Sequence, residues 1–247
     1  MPVAVPIVAG TAIKGLAATV MLRGVLARHP NAFLITLERF GVALPLHRSQ
    51  AHIARDIHRG LAAQGRSADC PVVLVGHSQG ALACLRYAID HPEQVLHVIS
   101  VGAPWKGSHS ARRLSQLLGS TGRNLTPALS DMAADSPFLR ELHEDLPAVA
   151  DRVTNIYSTH EIVIAPYVAA HIDVPGVTNV LIASQHEYGR HLRTHPDMLI
   201  DELILGRATH FGEMNTPRCA HPGGVPLSEV GSPAEDEFVD VHVGVGA

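Results

Sequence analysis

A serine flanked at two-residue spacing by glycines can act as a nucleophile, and Gly76-His77-Ser78-Gln79-Gly80 has that spacing. Context gives the pattern its meaning. Val72-Val73-Leu74-Val75 leads into it as a buried strand, and an apolar, helix-compatible run from Ala81 to Ala88 follows. A chain that turns sharply from strand to helix holds its turn residue in a strained conformation. The flanking positions then approach neighbouring backbone so closely that only Gly fits. The outcome is a hydroxyl at the mouth of a sheet, with free helix N–H groups behind it that favour a developing anion. A bare G-x-S-x-G also arises by chance, as an ordinary serine in a Gly-rich turn. The strand before and the helix after favour the nucleophile.

A nucleophile needs a base, an acid to orient that base, and donors for an oxyanion. In a parallel sheet such groups sit in loops at the carboxyl ends of strands. That rule selects Thr159-His160-Glu161-Ile162-Val163 and Ser184-Gln185-His186-Glu187. Glu161 is assigned as the acid, with His160 and Asp173 as rivals. His186 is assigned as the base, with His191 as its rival among 17 histidines. The backbone N–H groups of Gln79 and Thr11 are the expected oxyanion donors. Trp105, Phe138 and Leu139 are candidates for lining a substrate pocket, and equally for covering the sheet. His77 is held by the turn and is expected to pack or bond locally.

The elements that must position these groups alternate. Strands are expected at Val3–Ala9, Ala32–Leu37, the apolar run from Val72 that delivers Ser78, Val95–Val101, Arg152–Ser158 and Val177–Ala183. Helices are expected over Ala12–Arg28, Ser49–Gln64, the stretch after Ser78, and Met198–Leu205, with residues 39–46 as a loop. Strands alternating with helices imply an α/β fold: a mostly parallel central sheet with helices on both faces. Residues 1–206 form the expected domain, within which 109–150 is a substrate-facing insertion after the fourth strand. Residues 207–247 are a Pro/Gly-rich tail that ends in a run alternating with period two.

The chain resembles the α/β-hydrolase superfamily, in its small bacterial lipase/esterase type. Carrying the resemblance are Gly76-His77-Ser78-Gln79-Gly80, Gly102-Ala103-Pro104-Trp105-Lys106-Gly107-Ser108, Ser136-Pro137-Phe138-Leu139, and the loops Tyr157–Val163 and Ser184–His186. It spans roughly residues 3–206 and implies a compact hydrolase fold without the extra N-terminal strands. It also implies a serine carboxylic-ester hydrolase, an esterase or lipase, working through a catalytic triad and acyl-enzyme without a cofactor. Ala9-Gly10 stands where such lipases usually carry His-Gly, and Glu161 where most carry Asp. Thioesterase or acyltransferase chemistry on the same triad is the alternative. A non-catalytic binding protein on this fold is less favoured, because serine, acid and histidine all occur in order.

Composition narrows the rest. With 247 residues, 46% of them hydrophobic, the chain suits one domain with a substantial core. A formal net charge of −4 and 4% aromatic residues give no footprint for nucleic acid. No G-x-G-x-x-G follows a strand and no Walker A lysine motif occurs. His186-Glu187-Tyr188-Gly189-Arg190-His191 has three residues between Glu and His, where a zinc-protease helix has two, so no metal is expected. The expected partner is a small-molecule or lipid ester. No run of 18 apolar residues predicts a membrane span. The first cationic residue is Lys14, so no signal peptide is read; a cytoplasmic protein, or a secreted one already trimmed, is expected. The three cysteines, Cys70, Cys84 and Cys219, are read as neither a disulfide framework nor a metal motif.

Overall fold

A computed structural model describes residues 3–10, 26–27, 29–36, 44–108, 126–158 and 167–182. Six strands form one parallel sheet: β1 (Val5–Ala9), β2 (Ala32–Thr36), β3 (Val72–His77), β4 (Val95–Val101), β5 (Val153–Ser158) and β6 (Thr178–Ile182). Their order across the sheet is β2-β1-β3-β4-β5-β6. The chain moves one way from β1 to β2, then returns and builds outward on the other side from β3 to β6. The reversal falls between β1 and β3, and an open parallel sheet presents a crevice above such a point.

The strands alternate between two apolar layers, which is why they read as unbroken hydrophobic runs. Ala4, Val8, Val72 and Leu74 face one cluster, while Val5, Ile7, Val73 and Val75 face the other. The first layer is covered by α1 (Leu46–Ala63) and α2 (Gln79–Asp90). Ile53, Ile57 and Leu61 of α1 recur at helical spacing and are fully buried. Each such side chain contributes roughly 1.5–3 kcal/mol by leaving water. On the second layer, Leu26 packs against the strands. Between β4 and β5 lie α3 (Pro127–Asp131), α4 (Pro137–Asp145) and a 3-10 helix at Leu146–Arg152. A shorter 3-10 helix, Tyr167–Ala170, precedes β6.

Two expectations change. The helix expected from Ser49 starts earlier, at Leu46, the last residue of the expected loop. Pro45 precedes it with extended backbone, and the Leu46 N–H donates to Asp131 Oδ2 at 2.7 Å. A carboxylate from α3 thus satisfies a first-turn donor that α1 leaves open. Burial raises the Asp131 pKa against the lowering effect of that same hydrogen bond. The cysteine reading is also corrected: Cys70 is disulfide-bonded, whereas Cys84 is free and buried. Wide spacing hid the bond, because a disulfide records proximity in space. The expected helices at 12–28, beyond residues 26–27, and at 198–205 lie outside the described residues, as do residues 109–125 of the insertion and the tail.

Candidate active site

Ser78 closes β3 and precedes α2, with φ 55° and ψ −124°. Among the described residues it is the one non-glycine residue with positive φ. Such a conformation costs on the order of 1–3 kcal/mol and persists only where surroundings impose it. Here they do. The Ser78 N–H donates to Val101 O at 2.8 Å, and the Ala81 N–H to Ser78 O at 3.0 Å. Gly76 passes so close to α2 that a Cβ would stand 2.5 Å from Ala81 Cα. The flanking glycines are therefore required by close approach, as the spacing suggested.

Gly10 supplies the opposing wall. A Cβ there would lie 2.9 Å from His77 O, 3.0 Å from Ser78 Cβ and 3.5 Å from Gln79 N. Gly10, directly after β1, thus lies against the elbow where the strand order reverses. The Gln79 N–H opens α2, where the helix dipole favours negative charge. Thr11 follows Gly10 in sequence but lies outside the described residues, as do Glu161 and His186. Ser78 and Gln79 come together with Gly10.

Asp173, the rival acid, is engaged elsewhere. It pairs with Lys106 Nζ, and its Oδ1 lies 3.0 Å from His171 Nε2. The other ring nitrogen of His171 meets Tyr157 Oη at 2.8 Å. Both nitrogens of His171 are thereby occupied, so the pair has none free for a serine.

The three pocket candidates sit in the core. Trp105 is buried, its ring centroid 4.1 Å from that of His143, whose Nε2 lies 2.7 Å from Trp105 O. Phe138 and Leu139 belong to the main core cluster on α4, where the Leu139 N–H donates to the Ser136 hydroxyl at 3.1 Å. All three pack within the main core cluster.

Sequence reasoning missed a buried polar row across β4, β5 and β6. Ser100 Oγ donates to Asn155 Oδ1 at 3.1 Å, and Asn155 Nδ2 to Asn179 Oδ1 at 2.9 Å. The available signal was asparagine in the middle of two strands, a residue strands disfavour. Among the described residues no three His, Cys, Asp or Glu side chains gather as a metal site, and no helix is long and apolar enough to cross a membrane.

His77 carries its own chemistry. Its Nδ1 is buried without a hydrogen-bond partner, and desolvation lowers the ring's pKa below the ordinary histidine value. As pH falls through about 6.5 the unfolded chain binds this proton before the folded one does. The stability associated with a neutral His77 is therefore present above that pH and declines below it. Urea midpoints at pH 8 and pH 5.5 should fall less for His77→Gln than for the natural protein; an equal fall would remove His77 from the cause.

The sequence profile of the Alpha/beta hydrolase family matches residues 17–229. The chain belongs to that family. No curated protein matches this hydrolase-family chain. Among solved structures, it is similar to an alpha/beta hydrolase enzyme from a sediment metagenome of the Mar Chica lagoon, Morocco. There the identity is 18% and the TM-score 0.54, covering 84% of this chain and 92% of the other. The mature Bacillus licheniformis lipase BlEst2 is 15% identical with a TM-score of 0.54, covering 74% and 84%. A thioesterase domain from the curacin biosynthetic pathway is 17% identical with a TM-score of 0.54, covering 83% and 91%. At these identities the likeness concerns the fold.

Proposed function

We propose that this α/β hydrolase cleaves carboxylic esters through an acyl-enzyme on Ser78. The observation that carries the reading is the enforced positive φ of Ser78 at the sheet's switch point, with Gly10 against it. A strained, glycine-walled serine at a helix N-terminus is what acyl transfer requires. In the proposed sequence His186 takes the proton from Ser78 Oγ as the oxygen attacks the ester carbonyl. The carbonyl π pair moves onto oxygen, held by the N–H groups of Gln79 and Thr11. Collapse expels the alcohol, which receives the proton from His186. Water, deprotonated by the same imidazole, then releases the acid and restores Ser78. Glu161 holds the imidazole's other N–H and stabilises the imidazolium. The capture of Asp173 by Lys106 and His171 supports Glu161 over its rival.

Incubation with a fluorophosphonate probe tests the reading, followed by peptide mass analysis and turnover of p-nitrophenyl esters from acetate to palmitate. One adduct, on Ser78, with turnover lost in proportion to labelling is expected. A folded protein that never labels and turns over no ester would make the chain a binding module. Faster turnover of matched acyl thioesters would move the activity to a thioesterase.

A further inference from the structure

Five consecutive residues after the expected acid loop are each fastened to a side chain of β5 or β6 or to the loop after β4. Ala169 O accepts from the Lys106 N–H at 2.8 Å, and Ala170 O accepts from Asn155 Nδ2 at 2.8 Å. His171 meets the Tyr157 hydroxyl at 2.8 Å. Ile172 is held twice by Asn179: its N–H donates to Oδ1 at 3.2 Å and its carbonyl accepts from Nδ2 at 2.9 Å. Asp173 is bound by Lys106 and His171. Asn155 is fully buried, and Tyr157 nearly so.

Such fastening exceeds what a connector needs. A surface loop ordinarily satisfies its backbone with water. Here two asparagines are placed in strand interiors, where side-chain amides are disfavoured, to grip one short segment. The segment's place in the chain supplies a reason. Tyr157 stands four residues before Glu161, and residues 167–173 follow the stretch that carries it. The Tyr157–His171 bond joins the chain on one side of Glu161 to the chain on the other. Lys106 ties the later side to the loop that follows β4, the neighbour of the strand bearing Ser78.

We infer that Tyr157, His171, Asp173 and Lys106 form a clasp of positioning residues that sets the Glu161 carboxylate for its work on the catalytic imidazole. The inference rests on the reading of Glu161 as the acid. The His171 ring bridges Tyr157 and Asp173, with Nδ1 against the tyrosine hydroxyl and Nε2 against the carboxylate. Positioning matters at this scale, because misplacement by about 1 Å can lower turnover on the order of 100-fold.

A double-mutant cycle between Tyr157→Phe and Glu161→Gln tests the clasp, with kcat, KM and melting temperature measured for all four proteins. Phe keeps the ring that packs on Ala169 and Ala170 while removing the hydroxyl. Tyr157→Phe should lower kcat about 10-fold with KM and melting temperature nearly unchanged, and should cost less than about 2-fold when Glu161→Gln is already present. Lys106→Met, at an exposed position, should move kcat in the same direction, and Lys106→Arg should restore it. A fall in kcat equal in both backgrounds, or none in either, overturns the clasp while leaving Glu161 as the acid. Glu161→Gln with natural turnover would remove the acid assignment, and the clasp with it.

Discussion

Ser78→Ala should fold as the natural protein does and lose ester turnover by on the order of 10⁴- to 10⁶-fold, the scale expected when a triad nucleophile is removed. In the proposed mechanism the hydroxyl oxygen forms the acyl bond, so no neighbour replaces it. The strain at Ser78 provides a second, independent reading. Alanine has a Cβ and keeps the penalty of φ 55°, whereas glycine is released from it. Ser78→Gly should therefore be as inactive as Ser78→Ala yet more stable, by about 1 kcal/mol. Initial rates on a short-chain ester and thermal melts of the three proteins check both parts. Turnover retained in Ser78→Ala would end the nucleophile assignment. Equal melting of the two variants would mean the elbow is unstrained.

Gly80→Ala should be strongly destabilising, although Gly80 lies inside α2. Helix propensity argues the other way: Ala is favoured over Gly by about 1 kcal/mol in a helix interior. The packing decides. A Cβ on Gly80 would stand 2.3 Å from Val8 O and 2.9 Å from its carbonyl carbon. Those atoms are backbone of the buried central strand β1, which cannot swing aside as a side chain would. Overpacking of this kind costs roughly 3 kcal/mol or more, well above the propensity gain. In a chain of this size that corresponds to about 6–12 °C in melting temperature. Circular dichroism melts give the answer. A variant within about 2 °C of the natural protein would show that α2 shifts freely on the sheet, contrary to the close approach.

Much of this arrangement was legible because it is local. The six strands follow from apolar runs buried on both faces, and the elbow follows from two glycines and a serine. What escaped was set by distant partners. The start of α1 depends on Asp131, 85 residues away from Leu46. Asn155 and Asn179 are 24 residues apart and meet only because β5 and β6 pair in register. Tyr157 and His171 are 14 apart, and the segment holding His171 has no periodicity to announce it. Trp105, Phe138 and Leu139 show a different limit. An apolar side chain reads alike as pocket or core in a sequence, and its burial in the main cluster is set by neighbours distant in the chain. Ser78 and Gln79 stand where the spacing put them, beside Gly10. Glu161, His186 and Thr11 lie outside the described residues and rest on the strand-end rule.

The strand order has a consequence for birth on the ribosome. β3 pairs with β1, and from β4 onward each strand pairs with the one made immediately before it. The sheet can therefore lengthen in step with synthesis, at a single growing margin, with no later strand needing to insert between earlier ones. The contacts that force Ser78 into its turn come from β1, β4 and the first turn of α2, all encoded by residue 101. Ser78 is thus framed while more than half of the chain is still unmade. The clasp segment and β6 reach an elbow that already has its shape.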